Sequence, residues 1–306
     1  MIGVRDLTKP WYVWRPWQLA RRIHRKWMGP PDGYRTLRVA WGVSLRADAR
    51  MVIGHSIHTT GIYDLAVTEA LARLIRPGDT VVDAGAHVGY MTTLAGLAAG
   101  PTGQVTSWEP HPELFEALER NVADVATGHQ IARVTLRNAA LGGIRGTAEL
   151  AIPDDAPTND AMCYLARAER PATRSFPVTV ETIDEVLGAT PVAVMKLDVE
   201  GSELTVLSGA SAALAAGRIR HIVFEEHNGP ASDVVSRLRS LGYEIFAIGW
   251  SLRGPTFGPA DGRKLTEAYE APSYLATLAP DEVRDRFAKP GWRTLSHRFA
   301  QGRRRR

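Results

Sequence analysis

The chain has 306 residues, 44% hydrophobic and 23% charged, which is enough apolar material for one sizeable core and excludes a wholly disordered polymer. A single cysteine, Cys163, rules out an internal disulfide, and neither a signal-type apolar core nor a span of about 20 apolar residues occurs, so a cytoplasmic, soluble protein is expected. The net charge of +4 is uneven: residues 1–50 carry 11 Lys and Arg against 3 Asp and Glu, Arg303 to Arg306 add four more positive charges, and the body between is acidic. An acidic body argues against an enzyme that grips nucleic acid in a basic cleft.

Residues 11–28, WYVWRPWQLARRIHRKWM, place Trp17, Ala20, Ile23 and Trp27 near one helical face, with Arg21, Arg22, Arg25 and Lys26 largely elsewhere. That pattern is a basic amphipathic helix, whose tryptophan face can pack on its own body, join two copies as a homodimer, or touch a membrane peripherally. YRTLRVAWGVSLRADARMVI then reads as a pair of short strands.

From Leu65 onward helices and strands alternate. LAVTEALARLI is helical and stops before Pro77-Gly78, DTVVDAG is a buried strand, YMTTLAGLAA a helix, and QVTSWEP the second strand. PELFEALERNVADV is an amphipathic helix, ARVTLRN a third strand, and TAELAIP a peripheral fourth. Residues 153–175 read as a long loop or lid. The rhythm resumes with FPVTVETIDEVL, then the strand VAVMKLDVEG, one helix over SELTVLSGASAALAAG, the strand RHIVFEEH, a helix in ASDVVSRLRSLG and the strand YEIFAIG, and Ser273 to Leu278 would close the sheet. Such alternation predicts an α/β fold with a mostly parallel sheet covered on both faces. The expected divisions are an arm with short strands at 1–60, a Rossmann-like unit at 61–280 and a basic tail at 281–306.

The turn Asp83-x-Gly85-x-x-x-Gly89 matches neither the dinucleotide glycine pattern nor a phosphate loop. It occupies the carboxyl edge of a parallel strand, where such sheets bind ligands. Asp83 can accept from a ligand ammonium, and Glu109, ending the second strand, stands at about the interval from which an acid grips a ribose diol. A ligand with a ribose and an ammonium but no pyrophosphate is S-adenosylmethionine; the competing reading is NAD with a degenerate glycine loop.

The segments GIYDLAVTEAL, PGDTVVDAGAHVGYMT, GQVTSWEPHPELFEALERNV, LRNAALGG, MKLDVEGSELTVLSGA and HIVFEEH together resemble the FkbM-type methyltransferases, over about Gly61 to Ile248. The resemblance implies a Rossmann-like class I methyltransferase with a seven-stranded sheet and methyl transfer, typically to a hydroxyl. It also implies that Asp83, Gly85 and Gly89 line the methionine end, with His87 and Tyr90 completing the turn. Glu109 would hold the ribose, and Asn138 and Ala139 would lie by the adenine. His87 stands where family members usually carry Asn.

In VAVMKLDVEG, period two puts Lys196 and Asp198 on one face, with Glu200 two further. Lysine is scarce here, 5 residues against 32 arginines, and a lysine inside an apolar strand needs partners, for which Asp198, Glu200 and Glu225 are available. Asp198, or Glu226 and His227 on the next strand, would orient or deprotonate an acceptor hydroxyl. Asp198, Glu226 and Asn228 could alternatively hold a divalent metal through oxygen. The expected activity is O-methylation of a sugar, glycan or secondary metabolite; N-methylation of an amine or peptide, and a non-catalytic cofactor-binding module, are the alternatives.

Overall fold

The short apolar runs form strands, which the computed structural model, describing residues 9–18, 20, 33–153, 164–165, 172–262, 273–296 and 298–301, assembles into three sheets. β1 (Tyr34–Arg38) and β2 (Ser44–Asp48) make an antiparallel hairpin, followed by a helix, Val52–Thr60. The alternating region supplies β3 (Thr80–Ala84), β4 (Gln104–Trp108) and β5 (Arg133–Arg137). A small sheet then combines β6 (Ala140–Leu141), β7 (Gly146–Pro153), β8 (Tyr164–Leu165) and β9 (Ala172–Glu181) in the order β6-β9-β7-β8. The remaining strands are β10 (Val192–Leu197), β11 (Ile219–Glu225), β12 (Glu244–Ser251), β13 (Gly254–Pro259) and β14 (Ser273–Thr277).

The main sheet runs β13-β12-β14-β11-β10-β3-β4-β5, with β11 to β5 parallel throughout. Seven of these strands form the expected Rossmann-like sheet, and β13 adds an eighth by folding back on β12. β14 does not close the sheet at an edge. It inserts antiparallel between β11 and β12, where all five of its residues are buried, which suits an uninterrupted run of apolar and small residues.

Period two divides each central strand between two cores. Val81, Val194 and Val223 face the helices Leu65–Leu74 and Tyr90–Ala99, while Val82, Met195 and Ile222 face the helices Glu203–Ser208 and Asp233–Ser240. The helix expected over residues 202–217 is two, Glu203–Ser208 and Ser211–Ala215. The second starts anew because the Asp184 carboxylate accepts from the amides of Ala212 and Ala213, capping its first turn. Of the amphipathic arm, residues 19 and 21–28 lie outside those described. The part described starts with a single turn, Pro10–Val13; Tyr12 is buried and Trp11 packs edge-on against Trp250, while Trp17 is exposed rather than packed inward. Of the expected lid, β7 and β9 occupy the ends, and 154–163 and 166–171 lie outside the described residues. None of the helices among the described residues is long and apolar enough to cross a membrane.

The helix Leu65–Leu74 begins where the Asp64 carboxylate accepts from the Val67 amide and is buried along its whole length, including Glu69 and Arg73. Arg73 donates to Glu69 at 2.8 Å and to the carbonyls of Arg286, Lys289 and Gly291. Glu69 also accepts from the amides of Arg293 and Thr294 and from the Thr294 hydroxyl. This network locks residues 286–294 onto the first helix of the core. Glu69→Ala leaves Arg73 charged and buried without its partner, so urea denaturation should show a stability loss of about 3–5 kcal/mol.

Candidate functional site

The turn after β3 is shaped by what crosses it. Gly85 has φ +80°, and a Cβ there would meet the Asp198 carbonyl at 1.9 Å, so the backbone passes directly under the end of β10. The amides of Gly85 and Ala86 both donate to the Trp108 carbonyl at the end of β4. Gly89, φ +86°, lies against Leu118 of the helix Pro112–Gly128, where a Cβ would come within 2.7 Å of the Leu118 side chain. Its small size therefore serves helix packing. His87 sits between them at φ +51°, in the left-handed region that Asn tolerates more readily than His.

Above this turn opens a concave, mostly apolar cavity, the kind of surface that small-molecule sites present. Gly85, His87, Tyr90, Glu109, Ala139 and Asp198 of the expected residues line it. Glu109 is held rigidly: one carboxylate oxygen accepts from the His87 amide and the other from the His111 amide, both at 2.8 Å. Burial raises its carboxyl above the ordinary range, opposed by His87 and by these two amides. Each oxygen keeps a lone pair for a vicinal diol, and Trp108, Ala139, Leu141 and Leu150 supply apolar wall. A fixed acid beside an apolar wall fits the adenosine half of S-adenosylmethionine.

Three expected contact residues belong to the scaffold instead. Asp83 is buried and does not reach the cavity wall; it accepts from the Thr92 hydroxyl at 2.6 Å and pairs with Lys196 at 3.6 Å. Gly89 is covered by Leu118. Asn138 spends its amide on the carbonyls of Glu109 and Pro110, fixing the loop that carries Glu109.

At the other side of the cavity the register of the parallel strands aligns Lys196 with Asp83 on β3 and with Val223 on β11. Lys196 donates to the Gly85 carbonyl at 2.7 Å and pairs with Asp198 at 3.1 Å. Burial alone would lower its pKa, but the charges of Asp198 and Asp83 outweigh that and hold the ammonium well above the usual lysine range. Two residues beyond Val223, on the same face, stands Glu225, which lines the cavity beside Asp198. Burial, followed by the charges of Asp198 and Asp64, pushes its carboxyl up to about 9. Glu200, φ +49°, is pushed up to about 7 by burial of its carboxyl and by Asp198 and Glu203, although much of the residue is exposed. Tyr63 completes this wall, its hydroxyl proton held more tightly by burial and by the same acids.

Glu226 and His227 do not join this group. β11 ends at Glu225, two residues before the expected strand does, so Glu226 turns back to accept from the Asn228 amide, and His227 is exposed outside the cavity. The alternative oxygen site of Asp198, Glu226 and Asn228 is therefore not assembled, and among the described residues no cluster of three His, Cys, Asp or Glu is placed to hold a metal ion. Tyr63 is a site residue that sequence reasoning passed over, and Glu225, named there only as a partner for Lys196, takes the place expected of Glu226. The signal for Glu225 was present in the strand period counted from Lys196 across to Val223.

Comparison with known proteins gives three results. The family model described as "Methyltransferase FkbM domain" matches residues 83–245. A relative, the "31-O-demethyl-FK506 methyltransferase FkbM" of Streptomyces tacrolimicus, is 29% identical over 203 residues, covering 56% of this chain and 75% of that one. Among solved structures, a methyltransferase FkbM from Methylobacillus flagellatus aligns at 16% identity and TM-score 0.42, over 72% of this chain and about half, 52%, of that one. An S-adenosylmethionine-dependent O-methyltransferase from Thermotoga maritima aligns at 16% identity and TM-score 0.43, over 74% of this chain and 70% of that one.

The raised carboxyl of Glu225 has a consequence for stability with a definite sign. Between its ordinary value of 4.5 and about 9, the folded chain holds a proton that the unfolded chain has lost, so this group's contribution makes stability fall as pH rises across that window. Glu225→Gln should flatten that decline. Urea midpoints measured from pH 5 to pH 9 for the two proteins check it, and parallel curves would contradict it.

Proposed function

The chain belongs to the FkbM family of S-adenosylmethionine-dependent methyltransferases, and on that premise we propose that its acceptor is a hydroxyl of a sugar, glycan or secondary metabolite. The observation that carries this reading is the pair of carboxylates, Asp198 and Glu225, ending adjacent strands on the wall of the cavity that Glu109 also lines. S-adenosylmethionine supplies an electrophilic methyl group when bound. Glu109 would accept from its ribose hydroxyls, and the acid-lined wall suits its positive charges.

An aliphatic hydroxyl must lose its proton as its bond to carbon forms, so the chain has to align the oxygen and provide a base. Glu225, its carboxyl pushed up to about 9, can take that proton once it is itself ionised. Asp198, fixed by Lys196, is suited to orient the hydroxyl by accepting its hydrogen bond. A neutral amine carries its own lone pair and has less need of such a base, which favours oxygen over nitrogen. The Streptomyces relative is named for an O-demethyl substrate, and that supports oxygen as well.

Glu109→Ala should weaken S-adenosylmethionine binding by about 1.5–3 kcal/mol in calorimetry, the range for a hydrogen bond to a charged group. Unchanged affinity would remove the ribose assignment. Single-turnover transfer of labelled methyl to a panel of hydroxyl and amine acceptors tests the acceptor atom, and transfer to amines alone would overturn the proposal. With a hydroxyl acceptor, Glu225→Gln should slow transfer by about 10²–10⁴-fold and remove its rise with pH above neutrality. Asp198→Asn should slow transfer and move that rise to lower pH, because it removes one of the charges that raise the Glu225 carboxyl.

A further inference from the structure

Three segments distant in sequence meet around the end of β12, outside the residues that line the cavity. The arm packs Trp11 against Trp250 with ring centroids 5.4 Å apart, and the Trp14 indole donates to the Leu252 carbonyl at 2.8 Å, on the turn between β12 and β13. The same turn is bound from the other side, because the Gly291 amide donates to the Arg253 carbonyl, and Gly291 lies beside the Trp14 ring. The C-terminal helix, Arg298–Gln301, is near as well: Ala300 bonds Trp41, Ala40 bonds Gly61, and Arg15 of the arm bonds Thr60.

This junction has an unusual surface. Val13, Trp14, Trp17 and Leu252 are 51%, 47%, 49% and 42% exposed, in a protein that buries Trp41, Trp108 and Trp292. Its charge is one-sided. Its described segments, residues 9–18, 245–260 and 286–296, contain six Lys and Arg and no Asp or Glu. Lys9, Arg253 and Lys289 are described members of that set, Lys9 lying over the Trp11 ring.

We propose that this face docks the protein on an anionic lipid surface. Tryptophan and leucine side chains enter the headgroup boundary, and the surrounding cations are attracted by anionic lipid. Charge complementarity selects this occupant. Two copies of a cationic face repel each other, so self-association through it is disfavoured. Exposed Val13 and Leu252 beside the tryptophans suit acyl chains better than the stacked bases of a nucleic acid. Val13, Trp14, Trp17 and Leu252 are not among the residues that line the cavity, and the proposal does not depend on which acceptor is methylated.

The experiment is co-sedimentation of the full chain with vesicles of phosphatidylcholine, with and without phosphatidylglycerol. Binding is expected only to the anionic vesicles and should weaken with added salt. The double variant Trp14→Ser, Trp17→Ser should lower the apparent affinity about tenfold or more. Because Trp14 also helps seat the arm, Leu252→Ser at the hairpin turn is the second variant, and it should weaken binding with an unchanged unfolding midpoint. Four results would overturn the proposal: no sedimentation with anionic vesicles, equal binding to neutral ones, variants that bind as wild type, or displacement from vesicles by a single-stranded oligonucleotide at lower concentration than the lipid.

Discussion

An ammonium in the middle of an apolar sheet is stable only among acceptors, and Lys196 has the Gly85 carbonyl, Asp198 and Asp83 around it. Those contacts tie the end of β3 to the end of β10 at the carboxyl edge. They set where the turn of Gly85 runs, and that path brings its backbone so close beneath the Asp198 carbonyl that no side chain fits. Asp83 is buried by the same arrangement, with Thr92 as its hydrogen-bond donor and Lys196 as its countercharge. Removing the ammonium would leave a carboxylate in the core and a carbonyl at the turn without their positive partner, so the geometry of the cavity floor rests on one side chain.

Two glutamates on the cavity wall show how neighbours assign different chemistry to the same residue type. Both lose solvation, and both are raised by it. Glu109 receives two backbone amides and faces His87, so its charge is supported and its position is fixed. Glu225 faces Asp198, Asp64 and Glu200 with Lys196 as the opposing charge, so it retains a proton far above its ordinary range. One is suited to hold a diol and the other to exchange a proton.

Much of this was legible in the sequence because apolar runs punctuated by Gly and Pro have a short-range cause. The strands at Thr80, Gln104 and Val192 and the helices between them follow from period and caps alone. What escaped depends on contacts between distant segments. Asp83 reads as a ligand-facing acid until the register with Lys196 shows it pointing at a buried cation. β11 stops where Glu226 turns to accept from the Asn228 amide, and that leaves Glu225 rather than Glu226 on the cavity wall. The break after Ser208 needs the Asp184 carboxylate, which arrives from another helix.

The latch on Glu69 also bears on when the molecule becomes complete. Its helix is made early in synthesis, yet the amides of Arg293 and Thr294 that satisfy this carboxylate come more than 220 residues later. β14 likewise slides between β11 and β12 only after both exist. A nascent chain thus carries in this core helix an acid with Arg73 as its one partner of those named above, and an open seam in its sheet, until residue 294 has cleared the ribosome. The alternating βα units emerge vectorially, but their final closure is a late event in which the last segment reaches back to the first.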